Sequence, residues 1–323
     1  MHKLYLLSIF LVVSCGGGGS SSSVETPPNN NSNNNSNSLS ETCQQQQINF
    51  KRCDFKHKGL DRYYLIQSPH PEATGPSSVI FNLHGYGSNA LAQMEYTGLN
   101  NYTNTKENNF ILIHPQGAPL NTPLTSSASH WNSGAWTIGS NVDDVDFIDT
   151  IIKLISQKYD INMNRIYSTG MSNGGFMSYH LACNLSFKIA AIASVTGSMS
   201  RETLGSCDPS HATPILQIHG SIDGIVPFDG NSAIGMESIP DVMEYWKSYN
   251  SCSSEPIKIE DFFENGYSVE HLVYKNCLND IQVELQKING MWHTWPREDN
   301  FGISASRLIW DFFNTYDING RIN

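Results

Sequence analysis

Charge is scarce in this chain. Charged residues fill 15% of the 323 positions, and lysine and arginine together number 19 against 30 acidic residues. A net charge of −11 leaves no basic face to set against phosphate, which argues against nucleic acid as a partner and against a polybasic hold on a membrane. The apolar run from Leu4 to Val13 is too short to span a bilayer as a mature helix. No C-x-x-C pair or His/Cys cluster has the spacing of a zinc site, so no metal is expected. No internal repeat divides the chain. What is present is 39% hydrophobic residues, enough for a sizeable core in one α/β unit of this length.

The amino terminus reads as a targeting segment. Lys3 supplies a positive start, Leu4 to Val13 the apolar stretch, and Val12-Val13-Ser14-Cys15 has the form of a lipoprotein cleavage box. The expectation is a signal peptide over 1–15, with Cys15 lipidated. Residues 16–42 follow as a linker, Gly/Ser only from Gly16 to Ser23 and Asn/Ser only from Asn29 to Ser38. Such a composition buries no apolar area and acts as a tether with a reach of about 30 Å. A lipid anchor on a surface-held or secreted protein is the reading that joins these features. Six cysteines remain after Cys15, an even count that favours disulfides in an exported protein, and nearest-neighbour pairing is expected: 43–53, 183–207 and 252–277.

One folded domain is predicted over 43–323. Ser78–His84 reads as a buried strand ending in a Gly-rich turn, and Phe110–Pro115 as a second strand stopped by proline. Val145–Tyr159 has apolar residues at helical spacing with aspartates at its start. Strands at Arg165–Thr169, Ile189–Val195 and Pro214–His219 alternate with helices at Asn173–Cys183, Val242–Tyr249 and Ser304–Phe313, and short strand-like pieces fill 257–288. This alternation implies a mostly parallel sheet covered on both faces.

Gly170-Met171-Ser172-Asn173-Gly174 fits G-x-S-x-G between a strand and a helix. That turn lifts a serine hydroxyl clear of the backbone, and its flanking glycines let strand and helix touch. A serine nucleophile needs a base and an orienting acid, and in the α/β-hydrolase fold these follow in the order acid, then histidine. Asp223 lies just past the strand ending near His219, and His293 lies before the last helix. His271 sits in a strand-like run and is set aside. For an oxyanion hole the backbone N–H groups of Asn173 and of Tyr86, in Leu83-His84-Gly85-Tyr86-Gly87, are the candidates, with His84 as a loop-fixing residue. Trp131, Trp136, Trp292 and Trp295 are candidates for a substrate platform; Trp131, Trp292 and Trp295 are the ones assigned to it.

His84–Ala90, Pro115-Gln116-Gly117, Trp131-Asn132, Asp143-Asp144-Val145, Gly170–Gly175, His219-Gly220 with Asp223, and His293 with Trp295-Pro296 occur together and in order. In this the chain resembles secreted polyhydroxybutyrate depolymerases and the feruloyl and acetylxylan esterases grouped with them, over most of residues 75–315. The resemblance implies an α/β-hydrolase fold and cofactor-free hydrolysis of esters carried by plant-type polysaccharide. The chain departs from that pattern at Gly290-Met291-Trp292, where the family carries small residues, and in its long Asn/Ser tether. A polyester depolymerase is the alternative within the same chemistry. A non-catalytic binding lipoprotein on a hydrolase scaffold is the alternative outside it, disfavoured because Ser172, Asp223 and His293 are all present.

Overall fold

The computed structural model describes residues 39–47, 49–102, 105–122, 125–263 and 266–322. The signal segment, Cys15 and linker residues up to 38 lie outside the described residues. The strands are β1 (Thr42–Gln47), β2 (Phe50–His57), β3 (Leu60–Gln67), β4 (Ser77–Leu83), β5 (Phe110–Pro115), β6 (Ala118–Thr122), β7 (Thr125–His130), β8 (Ile161–Met171), β9 (Ala191–Val195), β10 (Ile215–Gly220), β11 (Ile257–Phe262), β12 (Ser268–Tyr274) and β13 (Val283–Asn289). The helices used below are α1 (Ala90–Thr97), α2 (Asp144–Ser156), α3 (Asn173–Asn184), α4 (Arg201–Ser206), α5 (Ile239–Tyr249), α6 (Glu298–Phe301) and α7 (Ala305–Phe313).

Local chemistry sets the ends of these helices. The Asp143 carboxylate accepts the Asp146 N–H at the start of α2, and Ser238 and Ser304 do the same for α5 and α7. Among the described residues one sheet runs β1-β2-β3-β5-β4-β8-β9-β10-β13-β12-β11. The strands from β5 through β13 in that order are parallel to one another, and the flanking strands pair antiparallel. The difference is written in the residues. β4, β5, β9 and β10 are buried at every position, whereas β2 alternates between core and solvent. Both faces of the sheet are covered: on β8, Ser168 bonds Ser178 of α3 on one face (2.9 Å), and Tyr167 stacks on Phe313 of α7 on the other (4.7 Å). This is the α/β-hydrolase architecture that the resemblance implies.

Three disulfides close Cys43–Cys53, Cys183–Cys207 and Cys252–Cys277, the nearest-neighbour pairs. The folded unit begins earlier than the composition suggests: the Tyr64 hydroxyl donates to Glu41 (2.6 Å), which also pairs with Lys158 (2.6 Å), so residues 39–42, expected as part of the linker, belong to it.

The sheet's register places the site. Leu83 pairs with Gly170, Met171 with Val195, Ile218 with Val195 and Gly220 with Ile288. The carboxyl ends of β4, β8, β9, β10 and β13 therefore line up, and the loops that leave them share one edge, where ligands bind in open α/β sheets.

Candidate active site

Ser172 joins β8 to α3 with φ 54° and ψ −120°, a backbone that a side chain adopts only under constraint. Close packing supplies the constraint. A Cβ on Gly174 would lie 2.2 Å from the Leu83 carbonyl oxygen, one on Gly170 2.6 Å from the same atom, and one on Gly175 2.5 Å from the Ser194 hydroxyl. The Ser172 N–H donates to the Val195 carbonyl (2.9 Å), which fixes the turn against β9. Among the described residues the Ser172 hydroxyl has no hydrogen-bond partner.

Asp223 follows β10, and its buried carboxylate is fully used. Oδ1 accepts the Ile225 and Val226 N–H groups, both at 2.9 Å, and Oδ2 faces His293 Nδ1 at 2.7 Å. Burial alone would raise this carboxyl, but the His293 hydrogen bond and the two N–H donors hold it below the ordinary carboxylate value. With Nδ1 engaged, Nε2 is the His293 nitrogen left to take a proton. His219 also approaches Asp223 Oδ2, at 3.7 Å, yet its ring is committed elsewhere: Nε2 bonds the Val226 carbonyl and Nδ1 the Gln217 amide, both at 2.9 Å. Burial lowers the His219 pKa, so it stays neutral and does not compete for Asp223. His271, set aside from sequence, lies in β12 and bonds Glu284 (2.9 Å).

The Gly-rich loop after β4 meets the serine directly, since a Cβ on Gly85 would sit 3.5 Å from the Ser172 Cβ. The Tyr86 N–H has no acceptor among the described residues, and Asn173 opens α3, where helical N–H groups lack an intrahelical partner. The loop is braced from behind. His84 is buried, its Nδ1 bonding the Gly85 carbonyl (2.8 Å) and its Nε2 accepting the Gly117 N–H (2.9 Å), and burial pushes its pKa down to about 4. It is a strut, as expected. The Gln116 side chain takes hydrogen bonds from Tyr63 and from the Ala90 N–H. Arg62 donates to the Gln116 carbonyl and forms a buried ion pair with Asp144 (2.7 Å), which in turn accepts the Asn132 N–H (2.9 Å). The motifs at 115–117, 131–132 and 143–145 are thus one brace. Sequence marked their presence; the pairing of Arg62 with Asp144 carried no signal in it.

Two of the tryptophan assignments need correction. Trp131 is fully buried, its backbone N–H on the Asn173 side chain (2.7 Å) and its indole N–H on the His84 carbonyl (2.9 Å). Trp295 is buried too, donating to Ser306. Neither offers a face to a substrate; both fill the core behind the loops. Trp292 is 53% exposed and lies over Gly224, where a Cβ would come within 2.4 Å of its ring. Ile222 and Ile225 are exposed on either side of Asp223, so an apolar lip borders the acid and the base. Across the site the Tyr86 ring meets Trp136 edge-on (6.5 Å), and Trp136 meets Phe176 (5.0 Å).

Comparison with known proteins gives a consistent picture. The family model described as phospholipase/carboxylesterase matches residues 63–235. Feruloyl esterase B of Piromyces equi is 27% identical over 234 residues, covering 61% of this chain and 41% of its own. The probable feruloyl esterase C of Aspergillus flavus is 31% identical over 178 residues, covering 54% and 59%. The chain therefore spans less than two thirds of the length of these two relatives. Among solved structures the acetyl xylan esterase from Aspergillus awamori superposes with a TM-score of 0.53 at 14% identity, over 78% of this chain and 94% of the other, a likeness of fold.

Proposed function

The chain belongs to the phospholipase/carboxylesterase family, and on that premise we propose that it is a serine esterase that cleaves feruloyl or acetyl esters on plant-type polysaccharide. The observation that carries the reading is the part-buried Asp223–His293 contact, set on loops at the same sheet edge as the constrained Ser172 turn. Ser172 attacks the ester carbonyl while His293 Nε2 takes its proton. Asp223 holds the imidazole in the right tautomer and stabilises the imidazolium. The N–H groups of Tyr86 and Asn173 receive the charge that develops on the carbonyl oxygen. His293 then protonates the leaving alcohol, and water repeats the cycle to release the acid. The names of the relatives, feruloyl esterases B and C, supply the substrate class. Trp292 is the residue assigned to an aromatic acyl group.

The same reading extends to place. A cleavage box ending at Cys15, a Gly/Ser/Asn tether and three disulfides support an exported protein, lipid-anchored at a bacterial cell surface. Mass spectrometry of the amino terminus from membranes tests it: an unlipidated Cys15 would rule the anchor out.

The exposed lip of Ile222, Ile225 and Trp292 favours one second reading, a polyester depolymerase. Residues 39–323 and the Ser172→Ala variant, assayed on methyl ferulate, acetylated xylan and a 3-hydroxybutyrate oligomer, separate the two. Ser172-dependent release of ferulate or acetate supports the polysaccharide esterase. Cleavage of the oligomer alone moves the assignment to the polyester. Full activity in the variant would sink the mechanism.

A further inference from the structure

Beside the His293 loop lies a cavity of about 370 Å³ between α1 and the chain that leads into α6 and α7. Its wall includes Glu95, Tyr96, Asn101, Tyr102, Arg297 and Glu298. Three features set it apart from a surface dent. It is preformed: α1 ends in a left-handed cap at Gly98, and the Ser306 hydroxyl ties α7 to the Thr97 carbonyl while accepting the Trp295 indole N–H. It is joined to the loop of the base: the Tyr96 hydroxyl bonds the Thr294 side chain (2.7 Å) and accepts the Trp295 N–H (3.1 Å), one and two residues beyond His293. Its lining sets carboxylate, amide and hydroxyl groups beside apolar surface, unlike the apolar lip at Ile222, Ile225 and Trp292.

We propose that this cavity is the subsite for the alcohol half of the ester, and that the alcohol it fits is a neutral, polyhydroxylated one of sugar type. The proposal rests on the esterase reading above. A base that must protonate the leaving oxygen has the alcohol on its own side, and the cavity wall begins one hydrogen bond from the loop that carries His293. Sugar hydroxyls are donors in search of acceptors. Glu95, Glu298 and the Asn101 amide provide them, while the Tyr96 and Tyr102 rings offer faces to the C–H side of a pyranose. The carboxylates outnumber Arg297, so the wall repels an acidic alcohol. The volume falls within the range of small-molecule sites.

The test pairs two esters of one acid, methyl ferulate and a feruloylated oligosaccharide. The variants Asn101→Ala and Glu298→Gln change exposed side chains, and turnover of the methyl ester reports that each is folded. The expected result is a rise of roughly five- to tenfold in KM for the oligosaccharide ester in each variant, as loss of a sugar hydrogen bond predicts, with methyl ferulate kinetics unchanged within about twofold. Equal effects on both esters, or on neither, overturn the subsite. Calorimetry with the unesterified oligosaccharide separates this from the esterase reading. If the parent chain turns over neither ester, that reading fails, and the subsite still stands only if the parent binds the sugar and the variants bind it more weakly. Absent or undiminished binding overturns it.

Discussion

Gly174 stands where α3 meets the end of β4, and replacing it with alanine tests the packing logic of the nucleophile turn. The added Cβ would lie 2.2 Å from the Leu83 oxygen, 2.6 Å from its carbonyl carbon and 2.9 Å from the His84 oxygen. All three are backbone atoms, so no side chain can swing away and β4 or α3 must shift. Alanine gains up to about 1 kcal/mol in helix propensity over glycine. Overpacking costs about 1–3 kcal/mol or more, and three backbone clashes put this site at the upper end. The net loss is about 2 kcal/mol, a fall in Tm of roughly 4–8 °C for a domain of this size. The larger effect is on turnover. Leu83 and His84 lead into Tyr86, so the shift moves one proposed oxyanion donor off its target. Loss of such a donor costs about 10²–10³ in kcat. Gly205 in α4 is the control, since a Cβ there meets nothing within 4 Å. Gly205→Ala should leave turnover alone and raise Tm slightly. Thermal melts and ester kinetics on the two variants, side by side, decide the matter. A Gly174→Ala protein with parental Tm and kcat within twofold would refute the reasoning.

Other perturbations follow from the same geometry. Asp223→Asn should lower kcat by about 10⁴ with the fold retained, a loss read in single-turnover assays. The Asp223 carboxyl is held below its unfolded value, so its contribution to stability is present above that value, near pH 4, and is lost as pH falls through the folded one; denaturation against pH should show a shallower acid limb in Asp223→Asn, and identical limbs would contradict the contact. Asp144→Ala strands the buried Arg62 guanidinium and should cost about 3–5 kcal/mol in urea unfolding, with a loss under 1 kcal/mol counting against the brace. Opening Cys183–Cys207, separated by 24 residues, with a Cys→Ser pair should cost about 3 kcal/mol by the same measure, and an unchanged midpoint would show that the bridge contributes nothing.

The parts of the site that sequence makes legible are those in which local pattern and chain order carry the constraint. The turn at Ser172 is readable because strand, glycines and helix lie within a few residues. Asp223 is readable because it follows the end of a strand and His293 because it precedes the last helix, in the chain order the fold requires, and the structure brings them to 2.7 Å. β5 is read to the residue, since a continuous apolar run ends at Pro115. The meander β1–β3 escapes the reading. Its second strand, Phe-Lys-Arg-Cys-Asp-Phe-Lys-His, has half its side chains in solvent and no apolar run. Helix α1 buries Ala90, Gln93, Met94 and Thr97, a face half of which is polar, so periodicity of apolar residues does not mark it. Exposure is also hidden: Trp292 and Trp295 are three residues apart, and one stands in solvent while the other fills the core. Arg62 and Asp144 are 82 residues apart, and nothing local in either stretch announces the other.

The first strand has a mechanical meaning. Among the described residues β1 is the outermost strand of the sheet and pairs with β2 alone, with Cys43 directly opposite Cys53. Any pull transmitted through the chain from its amino-terminal side enters the fold at this edge. An edge strand held by hydrogen bonds alone unzips one rung at a time under such a load. The covalent bond between the opposed cysteines hands the tension to β2, which shares seven registered pairs with β3. The sheet edge farthest along the strand order from β11 thus behaves as a strain relief, and the loops that hold Ser172, Asp223 and His293 are insulated from force that enters the folded unit at its first strand.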